Sequence, residues 1–171
     1  MPTTATGNVP TANTEVLQLA DESGFREALQ QLIGACRRHL RIYSQSLPRA
    51  LYSDPVTIQA LSDFARSSRY ARIQILITDT APLLRHPHRI LPLIQRLSSR
   101  IELKKIQPTS EPTDWEFALA DRDHVLQKTD LEKWAGSYHP QNPVRVRQLQ
   151  EIFDQAWLHA RPDTELKRLS L

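Results

Sequence analysis

Cysteine, glycine and aromatic residues are all scarce in this chain of 171 residues, and each shortage excludes a class of chemistry. The one cysteine, Cys36, cannot form an intramolecular disulfide, and thiolate-built metal clusters are ruled out with it. The four glycines, Gly7, Gly24, Gly34 and Gly136, never gather into the glycine-rich turn that cradles a phosphate. The nearest approach to an acetyl-CoA-binding loop runs from Gln31 through Gly34 to Cys36. It lies inside a helical pattern, so Gly34 reads as a close-packing position. Aromatics are only 6% of the chain and fall mostly at core spacing, which argues against a base-stacking platform. No apolar run approaches the roughly 18 residues of a membrane span, and the first residues lack an apolar signal core. A cytoplasmic location without membrane contact is the expectation.

What remains is ordinary in bulk and uneven in detail. Apolar residues at 40% and charged residues at 24% suit one soluble domain with a real core. Residues 1–14 are rich in Thr, Ala, Pro and Asn and read as a disordered lead-in. Residues 15–162 read as the domain and 163–171 as a tail. The net charge is +3, yet residues 1–106 hold 14 Lys and Arg against 8 Asp and Glu, while residues 107–171 hold 8 against 11. Arginines gather at Arg37, Arg38 and Arg41 and again at Arg66, Arg69 and Arg72. Such clusters serve either as solvated helix ends or as a surface for an anionic partner.

Periodicity places the elements. Phe25, Ala28, Leu29, Leu32, Ile33 and Cys36 recur at helical spacing, with Ser23 as the N-cap. Residues 40–43 alternate as a strand. Asp54 followed by Pro55 caps a helix carrying Ile58, Leu61, Phe64 and Ala65. Ile73, Ile75 and Ile77 mark a strand buried on both faces. A loop through Asp79 and His88 leads to a helical stripe at Ile90, Leu91, Ile94 and Leu97, and residues 101–104 alternate again. Residues 115–120 and 124–128 form a hairpin about Asp121, Arg122 and Asp123. Pro143 opens a last helix that Pro162 ends. The order implies an α/β fold, a mixed and mostly parallel sheet flanked by helices, with the 72–78 strand central between those at Leu40 and Ile101.

One acidic series stands out within the hairpin. Asp114, Glu116 and Asp121 have the spacing of the H-x-K-x4-D signature, and on that spacing the chain resembles a single half of the phospholipase D fold. Three further runs, Arg38 to Ser44, Leu51 to Pro55 and Phe64 to Arg69, resemble an uncharacterised proteobacterial domain that occurs alone or attached to GNAT-type acetyltransferases. The resemblance places Asp114 where the enzymes carry their nucleophilic His and Glu116 where they carry the phosphate-binding Lys. It therefore implies a degenerate, non-catalytic member. Covalent catalysis needs an attacking group, and charge on phosphorus needs cations.

The fold so implied gathers Ser44, Asp79, His88, Asp114, Glu116 and Asp121 around a vestigial pocket. Asp114 and Glu116 read as an exposed acidic patch at the edge of the sheet, ahead of a general acid/base pair or a divalent-ion site. His86 and His88 read as loop histidines ahead of half a metal site. No cofactor and no metal is expected. The function expected first is an interaction or regulatory module for another protein, with an exposed patch around Tyr52, Trp134 and Tyr138. The alternative is a nucleic-acid-binding module whose phosphate contacts come from Arg37, Arg38, Arg41, Arg66, Arg69 and Arg89. An enzyme of altered chemistry at the acidic pocket is a third class. A homodimer, if formed, would avoid the acidic site, where two copies would repel.

Overall fold

The computed structural model describes residues 15–107 and 116–168. Seven strands form one mixed sheet in the order β1-β7-β6-β5-β2-β3-β4. They are β1 (Leu17–Leu19), β2 (His39–Ser44), β3 (Arg72–Ile77), β4 (Ile101–Lys105), β5 (Glu116–Ala120), β6 (His124–Lys128) and β7 (Gly136–His139). β2, β3 and β4 are parallel neighbours, and the rest of the sheet is antiparallel. The strand at residues 72–77 is flanked as its sequence implies, but it is not central. β5 occupies the middle of the sheet, and β3 lies next to the edge.

The helices are α1 (Glu22–Ala35), α2 (Arg49–Tyr52), α3 (Pro55–Arg66), α4 (Ala81–Arg85), α5 (Ile90–Arg96), α6 (Pro143–His159) and α7 (Thr164–Arg168). Polar caps explain the starts of the long ones. Asp54 accepts from the N–H groups of Val56 and Thr57 with Pro55 in the first turn, and Asn142 accepts from Arg145 ahead of Pro143. The cap of α1 is Asp21, whose carboxylate accepts from the Gly24 N–H at 2.7 Å. Ser23 is already inside the helix, and its hydroxyl donates to Asp21. An ionised carboxylate is the stronger acceptor, which decides the boundary. Gly34 is exposed, and a Cβ placed there would meet nothing within 4 Å, so it is not a packing position. α4 lies within the stretch read as a loop, and α7, with Leu166 buried, within the stretch read as a tail.

Strand alternation splits the core into two layers. One face carries Leu40, Ile42, Ile73, Ile75, Ala118 and Leu126 against α1, α3 and α5. The other carries Tyr43, Leu76, Phe117, Leu119 and Val125 against Val146, Leu149 and Phe153 of α6. Each fully buried Leu, Ile or Phe contributes about 1.5–3 kcal/mol. The second face has a single long helix over it. At the N-terminal ends of β2, β3 and β4 that face is polar: His39 and Arg41, Arg72 and Gln74, and Glu102 stand where continued apolar cover would require Leu or Val.

Candidate functional site

The segment that leaves β2, residues 44–47, is the point on which four of the six expected pocket residues meet. Glu116 opens β5 opposite this segment, and its Oε1 accepts from the Gln45 N–H at 3.1 Å. The Ser44 hydroxyl also bonds Glu116 and accepts from the Leu47 N–H at 3.0 Å. Asp79 donates its own N–H to the Gln45 carbonyl at 2.7 Å, while its carboxylate accepts from Ala81. His88 stands at 3.0 Å from the Leu47 carbonyl through Nε2, and its Nδ1 faces the Ile90 N–H at 3.1 Å. Since Nδ1 must accept there, Nε2 carries the proton and donates: the ring is neutral. Leu47 has φ 53, a conformation that a side chain other than Gly or Asn resists, and these bonds hold it.

Glu116 is not an exposed edge acid. It is 8% exposed, because β5 lies mid-sheet between β2 and β6. Burial pushes its carboxyl above the usual range; the Gln45 N–H, the Lys128 charge and the Ser44 hydroxyl pull the other way without cancelling it. Lys128 is the cross-strand partner of Glu116 in the register, but its Nζ donates to the carbonyls of Asp130 and Leu131 instead. The space beside them, enclosed also by Phe25, Leu51 and Tyr52, is about 10 Å3. That is room for one water at most, so no phosphodiester fits there. Tyr52 is buried, and both burial and the Glu116 charge raise its hydroxyl. Among the described residues no group of three or more His, Cys, Asp or Glu side chains could hold a metal ion. Asp114 lies outside the described residues.

Asp121 is not part of this pocket. β5 runs antiparallel to β2, so Asp121 sits at the opposite end of the sheet, beside His39. It follows Glu116 by five positions along the chain, roughly 16 Å of extended strand. There its carboxylate accepts from the N–H groups of Arg37, Arg38 and His39 at 2.8, 2.9 and 2.9 Å. Burial alone would raise this carboxyl; the His39, Arg37 and Arg38 amides outweigh it and hold it below the usual range. Burial, reinforced by the Asp121 charge, pushes the Cys36 thiol up to about 12, leaving it inert at neutral pH.

The same end of the sheet collects the arginines. The Arg72 N–H donates to the Arg38 carbonyl at 2.8 Å, which sets the two strand starts side by side. The guanidinium of Arg69 lies 4.8 Å from the ring centre of Tyr70, and that of Arg38 lies 5.6 Å from it. Tyr70 is 53% exposed. α3 ends at Arg66, three residues before Arg69, and Arg100 donates to the Ser68 carbonyl. Among the described residues, the side-chain ion pairs within 4 Å are Arg26 with Glu22 and Lys104 with Glu102, and neither draws on this cluster. Arg41 follows on the polar sheet face, its Nε buried with no hydrogen-bond acceptor. Arg89 belongs elsewhere: it flanks His88, and its guanidinium donates to the Ser53 carbonyl at 2.9 Å. His39 was not singled out by the sequence, although its alternation with Arg41 around Leu40 places both on one face.

Residues 21–169 match the family model described as a domain of unknown function, DUF7931, and the chain belongs to that family. Among curated proteins no sequence matches. Among solved structures, the fold is similar to that of Nuc from Salmonella typhimurium, a phospholipase D family member. The TM-score is 0.60 at 14% identity, covering 86% of this chain and 96% of that one. NucT from Helicobacter pylori is similar at 0.59 and 12%, covering 87% and 100%. TrmBL2, an archaeal chromatin protein with a novel mode of DNA binding, is similar at 0.65 and 16%, with 91% of this chain covered. The chain spans 56% of the length of that protein. At such identities the likeness shows a shared fold. None of the described helices is long and apolar enough to cross a membrane.

Proposed function

We propose that this chain is a non-catalytic binding module of the phospholipase D fold, and that its ligand is nucleic acid held through phosphates at the arginine-rich end of the sheet. The observation that carries the reading is the continuity of Arg38, Arg69, Arg72 and Arg100 around an exposed Tyr70, with no acidic side chain paired to them among the described residues. Helix-end neutralisation would account for Arg66 alone. Clustered exposed cations repel one another, and a polyanion relieves that repulsion and releases counterions on binding. A structural neighbour that binds DNA is consistent with this use of the fold.

The absence of catalysis rests on Glu116. A buried carboxyl stands at the position the signature gives to a phosphate-binding Lys, in a space with no room for substrate. A protein partner is the weaker reading. Of the three aromatic residues expected to form its docking patch, Tyr52 and Tyr138 are buried, and Trp134 packs 5.6 Å from Phe25.

Electrophoretic retention of single-stranded RNA and DNA at 50 mM salt tests the binding. Wild type should retain both regardless of sequence. A double charge reversal, Arg38→Glu with Arg69→Glu, should abolish retention, and neutral single variants should flatten the salt slope by about one unit per lost contact. No retention by wild type would end the reading. Bis-p-nitrophenyl phosphate should not be hydrolysed above the buffer rate, and turnover lost in Glu116→Ala would overturn the claim of inactivity.

A further inference from the structure

The half of the sheet face that α6 leaves open holds a cleft of about 310 Å3 whose lining includes His39, Arg41, Arg72, Gln74 and Glu102, together with the turn that ends α5. The register explains how they meet. His39 is paired with Arg72, Arg41 with Gln74 and Gln74 with Glu102, so all five side chains stand on the same face of three adjacent parallel strands. Sheet geometry, not a mobile loop, fixes their spacing.

The electrostatics of the cleft are one-sided. Its lining carries three guanidinium groups, of Arg41, Arg72 and Arg100, and the imidazole of His39, against one carboxylate. That carboxylate, Glu102, is itself engaged 3.8 Å from the Lys104 ammonium. Arg72 spends Nη1 on the carbonyls of Arg69 and Ala71, at 2.8 Å each, which holds the guanidinium at the mouth and leaves its other donors open. The Arg41 Nε is closed to solvent and has no acceptor, so the contact this guanidinium can offer a ligand comes from its terminal nitrogens. The His39 ring is held below its usual proton affinity first by burial, then by Arg41 against the pull of Asp121, and further by Arg38 and Arg72. Ile73 and Ile101 supply only a minor apolar share of the lining, so an apolar ligand is poorly matched, and a cation would be repelled. A compact oxyanion matches the positive charge and the hydrogen-bond donors of this lining.

We infer that this cleft binds a phosphate monoester, the terminal phosphate of a nucleic-acid strand. The inference rests on the nucleic-acid reading above and narrows it. The volume is at the low end of ligand pockets, about 300–1,000 Å3, enough for a phosphate and the sugar that bears it. Three guanidinium groups favour a dianion over the single charge of an internal phosphodiester, and bidentate Arg contacts suit its three equivalent oxygens. A strand that passes over the arginine edge ends its phosphate track in this cleft, because Arg72 and Arg100 belong to both.

Calorimetric titration at fixed ionic strength with a 5′-phosphorylated dinucleotide, the same dinucleotide without phosphate, and inorganic phosphate provides the test. The phosphorylated dinucleotide should bind about ten-fold tighter than its unphosphorylated counterpart, one charge-assisted contact's worth. Inorganic phosphate should compete with it and should shift the His39 imidazole resonances in NMR. Arg41→Gln should erase the preference. Glu102→Gln, at an exposed position where folding is not in question, should strengthen binding several-fold. Equal binding of the two dinucleotides with no response at His39 overturns the cleft. If long unphosphorylated strands are still retained in that case, the arginine-edge reading stands without it. Binding of phosphate and phosphorylated dinucleotide with no retention of long strands supports the cleft and removes the nucleic-acid reading, leaving small phosphate esters as the source. No binding of any probe removes both.

Discussion

Asp121 and His39 hold each other through a reciprocal pair of hydrogen bonds. The Asp121 N–H donates to the His39 carbonyl at 2.8 Å, and the His39 N–H donates to the Asp121 carboxylate at 2.9 Å. With the Arg37 and Arg38 amides on the same carboxylate, the hairpin turn between β5 and β6 is tied to the start of β2. This acid is a structural clamp at the arginine-rich end of the sheet.

Asp121→Ala should cost about 1–2 kcal/mol, the worth of charge-assisted bonds discounted for their exposure. The loss would appear as a lower urea midpoint with unchanged slope. Asp121 is also at φ 52, so Asp121→Asn, which tolerates that conformation, should lose less than Asp121→Ala. The carboxyl is held below its usual value, so its stabilisation is complete above the unfolded pKa near 3.8 and fades as the pH falls through the lower folded value. Equal midpoints for wild type and Asp121→Ala at pH 7 would remove the clamp.

Glu116 carries the opposite sign. Its folded carboxyl is raised by burial, so the folded state holds the proton more tightly than the unfolded one. Stability is then greatest below the unfolded value near 4.5 and declines as the pH rises through the raised folded value. Glu116→Gln keeps the shape and removes the ionisation. The variant's midpoint relative to wild type should therefore improve between pH 4 and pH 8. A difference that stays constant across that range would show that the buried carboxyl carries no such penalty.

Two glycines should respond to alanine in opposite directions. A Cβ on Gly136 would fall 1.9 Å from the Gln127 carbonyl oxygen and 2.9 Å from Phe25 Cζ, and the backbone of β6 cannot retreat. Gly136→Ala should cost about 3 kcal/mol. Gly34 is exposed near the end of α1 with open space around it, so Gly34→Ala should stabilise by about 0.5–1 kcal/mol. Thermal melts of the two variants check the pair. A loss at Gly34 would mean that its neighbourhood is tighter than the geometry gives.

Helices α1, α3, α5 and α6, and the parallel trio of strands, are legible because their signals are local. Asp54 with Pro55, Asn142 with Pro143, and the isoleucines of β3 each declare themselves within a few residues. β1 and β7 are not, because Leu17–Leu19 and Gly136–His139 are short and become strands only by pairing with each other and with β6. The burial of Glu116 escapes the sequence for a related reason. Its lid is built from Tyr52, Leu51 and Phe25, and its place mid-sheet depends on β5 inserting beside β2. Asp121 shares a signature with Glu116 on paper, yet strand geometry carries the two to opposite ends. The open cleft is hidden most deeply. His39, Arg41, Arg72 and Gln74 show their alternation, but nothing in their neighbourhood reveals that α6 stops covering them.

The position of β2 has a consequence for the way the chain is made. One edge of β2 pairs with β3, from the residues that follow it closely, and the other with β5, whose first residue is Glu116. While the chain grows from its N-terminus, the backbone groups of Leu40, Arg41, Ile42 and Tyr43 that later pair with β5 have no strand beside them after β3 and β4 have been synthesised. An unpaired edge of that kind is a template for a neighbouring chain in the same state. Synthesis paused between Lys105 and Glu116 therefore exposes the protein to association with its own copies, and arrival of the β5–β6 hairpin ends that exposure by closing the sheet.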